Sequence, residues 1–351
     1  MSQLSDCVSQ KDRTRKVPLR DARLDYLKGV SILGVVLIHV SFPFSDVLRF
    51  CVPVFVAIWA YHLEFKLVRT ETEQVWRFTW EAFVRLLIPF VFWTLIYLVL
   101  FRTSAEWKAT SWQTKLNGWL GGFGWPGQYY FLILFQLIWV MPVIRNWVTP
   151  KSVWAVLILT VILDALVCYL WAGNHVISGV GYRCFVFWIL YAFLGIAFAR
   201  SYPRKMPWLF SVAVVSCLAI PIEYHGLSAR YENVPIYLLP SVTLGSTALL
   251  LAASSRFMPI VANFGAPEQW MLKLLSYIGR HTFLIFVGNV LIINCLTELV
   301  SISTNSTGGE VLAKVGFAVA AIIGSLAIGT LLRRLGLGPL IGERRLSKGS
   351  R

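Results

Sequence analysis

The chain has 351 residues, of which 57% are hydrophobic and only 14% are charged, and its net charge is +15. About a quarter of the residues in an ordinary soluble domain are charged, so this composition excludes that class and indicates a polytopic membrane protein. The positive charge does not indicate nucleic-acid binding, because Lys and Arg accumulate beside membrane spans and attract anionic lipid. We therefore expect the lipid bilayer, and no nucleic acid, as a partner.

Ten apolar runs are each long enough to cross about 30 Å of hydrocarbon, if some tilt or shortening is allowed. A basic tail over residues 1–22 precedes them and a second basic tail over residues 335–351 follows, which leaves one membrane domain at 23–334. The sequence therefore predicts an all-α protein with about ten transmembrane helices. The runs cover residues 27–44, 47–65, 84–101, 128–144, 152–171, 184–199, 207–222, 235–254, 276–297 and 314–332.

The cationic residues give the orientation of these spans. With the N-terminus inside, 25 of the 32 Lys and Arg residues fall in cytoplasmic segments, which is the side that positive charges favour in short loops. We therefore expect both termini in the cytoplasm. The six cysteines are scattered and the five histidines form no His-x-x-x-His pair, so we expect no metal site.

The first apolar run carries two ionisable residues on one face. Lys28 and His39 are eleven residues apart, which is almost three helical turns and roughly 16 Å, so both are expected to line one groove. An imidazole inside a span is costly, and it marks a functional site unless it only bonds to a neighbouring helix. Lys28 either acts in that site or extends towards the lipid headgroups. Asp25, three residues earlier, is placed to hold the Lys28 ammonium.

Several segments carry a family resemblance. In the stretch Leu24–His39, Asp25, Gly29 and His39 match the opening pattern of acyltransferase family 3, and Lys28 stands where that pattern has Arg. The family often has another Arg three residues before the one matched by Arg85, and Ala82 stands there. Asn289 stands where a His often ends the ninth-span motif. Further similarity lies in Val52–Phe55, Arg85–Pro89, Tyr130–Leu132 with Pro142, and Ser276–Thr282. The chain thus resembles this family of multi-span bacterial enzymes, and within it the fucose-type O-acetylases.

The resemblance implies an O-acyltransferase of the bacterial inner (cytoplasmic) membrane. It would move an acyl group, acetyl, from acetyl-CoA to a hydroxyl of an exported or lipid-linked glycan. Acetyl-CoA is then a donor substrate, and no permanently bound cofactor is expected. An alternative from another class is a glycan exporter of the same family without acyl transfer. The sequence leaves the oligomeric state open.

The residues suit this chemistry. His39 is the candidate catalytic base, because imidazole titrates near neutral pH and can take a proton from a hydroxyl. Lys28, Arg77 and Arg85 are candidates for binding the donor phosphates at the cytoplasmic mouth, with Asp25 holding Lys28. Lys acts there as a point charge, without the two-pronged geometry of Arg. Arg85 is alternatively an ordinary anchor at the positive side of the membrane.

Two polar residues inside later spans are further candidates. Asp164, deep in the fifth run, is a proton-path or substrate group, or the partner of a buried cation. Asn289, in the ninth run, either forms a hydrogen bond between helices or lines the site.

Other candidates for contact with the acceptor fall on the predicted outer side. Arg183 and Glu223 are polar groups there, and they either contact the acceptor or lie in loops and against lipid. Trp119 and Trp125 belong to the longest outer loop, at about 102–127. Tryptophans near a membrane boundary commonly form an aromatic belt. The alternative is a lid with flat apolar faces for sugar rings.

Overall fold

The computed structural model describes residues 22–101, 111–120, 122, 124–170, 183–200, 208–232, 234–254, 266–299 and 307–342. Within these ranges the chain is helical and contains no strand. Short 3-10 turns join several of the helices. The helices are α1 (Ala22–His39), α2 (Cys51–Leu67), α3 (Val75–Phe101), α4 (Trp112–Leu120), α5 (Gln128–Ile144), α6 (Pro150–Ala165), α7 (Ile189–Ala199), α8 (Trp208–Ser228), α9 (Pro240–Ser254), α10 (Ala266–Arg280), α11 (Thr282–Leu299) and α12 (Thr307–Arg334).

The helices are those of a multi-pass membrane protein. In the described ranges, seven of them are long and apolar enough to cross a membrane, namely α2, α3, α5, α6, α8, α11 and α12 with their flanking turns. Helices α7 and α9 are apolar but shorter, and α1 begins with the charged residues Arg23, Asp25 and Lys28. Each of the ten predicted runs overlaps at least one helix, and the ninth run overlaps both the end of α10 and α11. The count of ten spans and the side of the termini stay predictions. Most of both predicted tails lies outside the described residues.

Two helices were not predicted as elements of their own. Helix α4 lies within the segment that was expected to be an outer loop. Helix α10 begins before the ninth apolar run, ends within it and is amphipathic: Trp270 and Met271 are exposed, while Ile278 is buried. A search for apolar runs misses such a helix, because its apolar residues recur with the helical period instead of in an unbroken stretch.

Helix α1 is central to the packing. It lies against α2, α10, α11 and α12, while α2 packs on α7, α8 on α9, and α3 on α5. Two glycines allow α1 and α10 to approach closely. A Cβ atom on Gly29 would lie 2.2 Å from the Leu275 carbonyl oxygen, and one on Gly279 would lie 1.8 Å from the Asp25 carbonyl oxygen. Any other residue would push the start of α1 away from the end of α10.

A buried ionic group joins α2, α5 and α7 near their C-terminal ends. The Glu64 carboxylate is fully buried and accepts from Arg145 Nε at 3.0 Å and from Arg200 Nη2 at 2.8 Å. Arg145 follows the last residue of α5, and Arg200 follows the last residue of α7. The three helix ends therefore meet on one side of the bundle, as the alternating topology requires. A buried carboxylate needs such partners, because removing a charge from water without one is costly.

We expect Glu64→Gln to destabilise the protein by about 3 kcal/mol, since two arginines would then face each other without a carboxylate between them. The measurement is the thermal unfolding midpoint of the purified protein in detergent. Glu81→Gln is the matched control, because Glu81 pairs with Arg77 while both side chains are largely exposed, and such pairs contribute less than about 1 kcal/mol. Equal midpoints for the two variants would contradict the structural role of Glu64.

Candidate functional site

His39 and Asn289 meet across 250 residues of sequence. His39 ends α1, Asn289 lies in the middle of α11, and His39 Nδ1 is 2.5 Å from Asn289 Oδ1. Asn289 is fully buried, and its Nδ2 donates to the carbonyl oxygens of Ile285 at 2.8 Å and Phe286 at 2.7 Å. Because both amide hydrogens are engaged, the atom that faces His39 is the acceptor oxygen.

This contact determines the protonation pattern of the His39 ring. An acceptor at Asn289 Oδ1 requires that Nδ1 carries the hydrogen, so Nε2 keeps a lone pair in the neutral ring. In the described part of the chain, Nε2 makes no hydrogen bond or ion pair. Nε2 is therefore the nitrogen that can act as a base, and the Nδ1–H bond to Asn289 orients the ring. Asn289 bonds between helices, and its bonding partner is the candidate base.

Tyr97 of α3 fixes the backbone of α11 around Asn289. Its buried hydroxyl donates to the Val287 carbonyl oxygen at 2.9 Å and accepts from the Leu291 N–H at 3.1 Å. The hydroxyl thus enters the hydrogen-bond ladder of α11 on both sides of Asn289. No sequence motif marks this residue. Its one signal was a phenol among the apolar residues of the third run.

Trp125 supports Tyr97 from the other side. The two rings stack at 4.9 Å between centroids, and Trp125 Nε1 donates to Thr94 Oγ1 at 3.2 Å. Trp125 is only 2% exposed, so it does not present an open face to a solute. Trp125 was predicted as a lid or belt residue, whereas the structure packs it against Tyr97 behind the His39 site.

A cavity of about 270 Å³ lies beside the start of α1. Lys28 lines it, and Asp25 holds the Lys28 ammonium with a distance of 2.6 Å between Nζ and Oδ1. His62 and Arg280 are the other basic residues in its wall. The remaining wall is largely apolar and aromatic, formed by residues of α2, α3, α5, α10 and α11 that include Phe55, Trp59, Leu86, Tyr130, Gly279 and Phe286.

The cavity does not reach His39. The rings of Tyr130 and Phe286 lie 5.2 Å apart between centroids and both belong to the wall. Phe286 also fits against Gly127, where a Cβ atom would lie 2.8 Å from its ring. His39 is not among the residues that line this cavity, so the groove shared by Lys28 and His39 stays a prediction.

Two predicted donor-binding cations also lie elsewhere. The Arg77 side chain is 83% exposed and pairs with Glu81 at 3.4 Å, and Arg85 Nε donates to the Glu81 carbonyl oxygen at 3.1 Å. Neither lines the cavity. Arg280 does, and it belongs to the Ser276–Thr282 segment that carried part of the family resemblance. The close contact of Gly29 with α10 brings that segment to the Lys28 segment, which the sequence showed only as two separate motifs.

The candidates for acceptor contact are dispersed. Asp164 and Glu223 belong to a second polar region formed by α6 to α9. The Arg183 carbonyl oxygen accepts from Gln136 Nε2 at 2.7 Å, and the Trp119 carbonyl oxygen accepts from Gln128 Nε2 at 3.2 Å. The structure brings none of these four residues into hydrogen-bond contact with His39. Among the described residues, no three His, Cys, Asp or Glu side chains are grouped as metal ligands.

Comparison with known families agrees with this architecture. A family model described as an acyltransferase domain matches residues 21–334, which runs from the start of α1 to the end of α12. The chain belongs to acyltransferase family 3. It is therefore a membrane acyltransferase with several spanning helices. No curated protein and no solved structure matches this family member.

We expect His39 of this acyltransferase to carry its hydrogen on Nδ1 and a lone pair on Nε2. Nitrogen NMR of histidine-labelled protein distinguishes the two ring nitrogens. In Asn289→Leu, the acceptor is lost, and the hydrogen should move to Nε2 in a large part of the population. The exposed His225 is the internal control and should not change. A hydrogen on Nε2 of His39 in the unmodified protein would contradict the orientation of Asn289.

Proposed function

We propose that this protein transfers an acetyl group from acetyl-CoA to a hydroxyl of an exported or lipid-linked glycan. The observation that carries the proposal is the free Nε2 of His39, which Asn289 orients at the end of α1 while Lys28 and Arg280 line a cavity at its start. The bacterial cytoplasmic membrane is the proposed location, with the donor entering from the cytoplasm.

The proposed reaction uses His39 as a general base. Nε2 takes the proton of the acceptor hydroxyl while its oxygen attacks the thioester carbonyl carbon. The new C–O ester bond forms, the C–S bond breaks, and the coenzyme A thiolate leaves. The thiolate then takes up the proton that Nε2 accepted, which returns His39 to its neutral form. Asn289 Oδ1 accepts from Nδ1–H throughout, which stabilises the imidazolium that forms and keeps the ring oriented.

The cavity is the proposed site of the donor. Its narrow and largely apolar wall suits the thioester arm of acetyl-CoA, and the phosphates would remain near Lys28 and Arg280. Asp25 positions the Lys28 ammonium but also neutralises part of its charge, so Arg280 is needed as a second cation. Tyr130 and Phe286 line this cavity and His39 does not, so the thioester has to extend beyond it for the acceptor hydroxyl to react beside the base.

We expect His39→Gln to lower the rate of acetyl transfer by about 100- to 10,000-fold, because the base is lost. The measurement is mass analysis of the surface glycan from cells that carry the variant, with cells lacking the gene as reference. His225→Ala is the matched control, since the His225 side chain is 69% exposed and lies outside both sites.

Normal acetylation of the glycan by His39→Gln, with the protein present in the membrane at the usual amount, would contradict the proposal. The glycan exporter is distinguished by the same cells. For an exporter, loss of the gene lowers the amount of exported glycan, and the acyl content of each glycan stays the same.

We expect Lys28→Ala to weaken acetyl-CoA binding by about 10- to 100-fold, because a hydrogen bond to a charged group is lost. Lys28→Arg should retain or improve the affinity, since Arg offers two donors to a phosphate. Calorimetric titration of the purified protein in detergent gives the dissociation constants. Lys151→Ala, at an exposed cation in the first turn of α6, is the control. An unchanged dissociation constant for Lys28→Ala would leave Lys28 as a lipid anchor.

A further inference from the structure

A second polar cluster lies among α6, α7 and α9 and takes no part in the proposed reaction. Thr243 Oγ1 donates to Asp164 Oδ2 at 2.6 Å, and the Tyr191 hydroxyl donates to Thr243 Oγ1 at 3.4 Å. Ser246, almost one turn after Thr243 on α9, lies beside the Tyr191 hydroxyl. We call these four residues the Asp164 cluster. All of them are at most 2% exposed.

The cluster has more acceptor atoms than hydrogen-bond donors. Asp164 Oδ1 is buried and has no hydrogen-bond partner, and the buried Ser246 Oγ makes no contact of hydrogen-bond geometry, although it lies beside the Tyr191 hydroxyl. Among the described residues, no Lys, Arg or His forms an ion pair with Asp164. A carboxylate inside a membrane domain is unfavourable unless a positive charge accompanies it. A proton on Oδ1 would remove the charge, but it would leave a buried O–H without an acceptor.

The neighbouring carboxylate is already satisfied. Glu223 of α8 accepts from the Tyr169 hydroxyl through Oε1 and from the Ser241 N–H through Oε2 at 3.1 Å. The second contact lies at the start of α9, where the helix dipole favours a negative charge. The charge of the Asp164 cluster is therefore a single negative one, and Glu223 does not add a ligand to it.

We propose that the Asp164 cluster binds a monovalent alkali cation, represented by Na⁺. The available ligands are one carboxylate oxygen and the hydroxyl oxygens of Thr243, Tyr191 and Ser246. Hard cations of this kind prefer oxygen ligands, and a single positive charge balances Asp164. A divalent ion would leave an uncompensated positive charge in the membrane domain. The bound cation joins α6, α7 and α9, and it acts independently of acetyl transfer.

The test compares the purified full-length protein in sodium chloride and in N-methyl-D-glucamine chloride at equal ionic strength. Saturating Na⁺ should raise the thermal unfolding midpoint by about 4 °C, because a ligand that binds only the folded state stabilises it. Radiolabelled sodium should bind to one site per chain. Asp164→Asn should lose both effects, because it keeps the acceptor for Thr243 but removes the charge.

Two further variants locate the site. Glu223→Gln should still bind Na⁺, although it lacks the neighbouring carboxylate. Ser246→Ala should bind it about tenfold more weakly, because one ligand in an otherwise unchanged cluster is lost, and it provides the test if Asp164→Asn does not fold. Equal midpoints in both salts without bound sodium would overturn the proposal, as would sodium binding that survives in Asp164→Asn. An infrared band of a protonated carboxyl that Asp164→Asn removes at neutral pH and high sodium would overturn it too.

Discussion

Hydrocarbon offers no hydrogen-bond partner, so a polar group that this chain carries into its membrane domain is costly unless another part of the chain satisfies it. The consequence is visible between distant helices. Glu64 of α2 accepts hydrogen bonds from Arg145 and Arg200, which follow the last residues of α5 and α7. His39 of α1 donates to Asn289 of α11. Apolar packing alone would leave the helices free to rotate against their neighbours. The polar pairs select one rotation for each helix, because other rotations would expose a charge or an amide to lipid.

The same constraint makes the His39 site rigid. Asn289 donates both amide hydrogens to backbone carbonyls of its own helix. Tyr97 bonds to the α11 backbone on either side of Asn289. The amide oxygen is therefore held in place without any contribution from His39. A base oriented in this way does not have to reorganise when a proton arrives. Trp125 extends the support by stacking on Tyr97, so a residue from the predicted outer loop contributes to the site without touching it.

Much of the fold was predictable, because long apolar runs have few alternatives to a spanning helix. The two residues of the His39–Asn289 pair were predictable, but their contact was not. His39 and Asn289 were each singled out as polar residues within apolar runs, but their contact joins two helices through a rotation that no local pattern encodes. Arg77 and Arg85 show the converse. Both were predicted at the cytoplasmic mouth, whereas α3 begins at Val75 and the face on which the two residues lie depends on its packing. Neither lines the cavity. Arg280 was within a recognised motif, and only the close approach of α10 to α1 gives it a place beside Lys28.

Phe286 connects the two parts of the proposed site. Its ring lines the cavity beside Tyr130, and its carbonyl oxygen accepts from the Asn289 amide that orients His39. The ring is attached to the same turn of α11 as that carbonyl, so the wall of the cavity and the acceptor of His39 belong to one short segment. A rotation of the Phe286 side chain about its own bonds leaves that carbonyl in place, whereas a shift of the backbone would disturb Asn289. Tyr97 opposes a backbone shift through its two hydrogen bonds to α11. The orientation of the base therefore does not depend on the position of the aromatic ring.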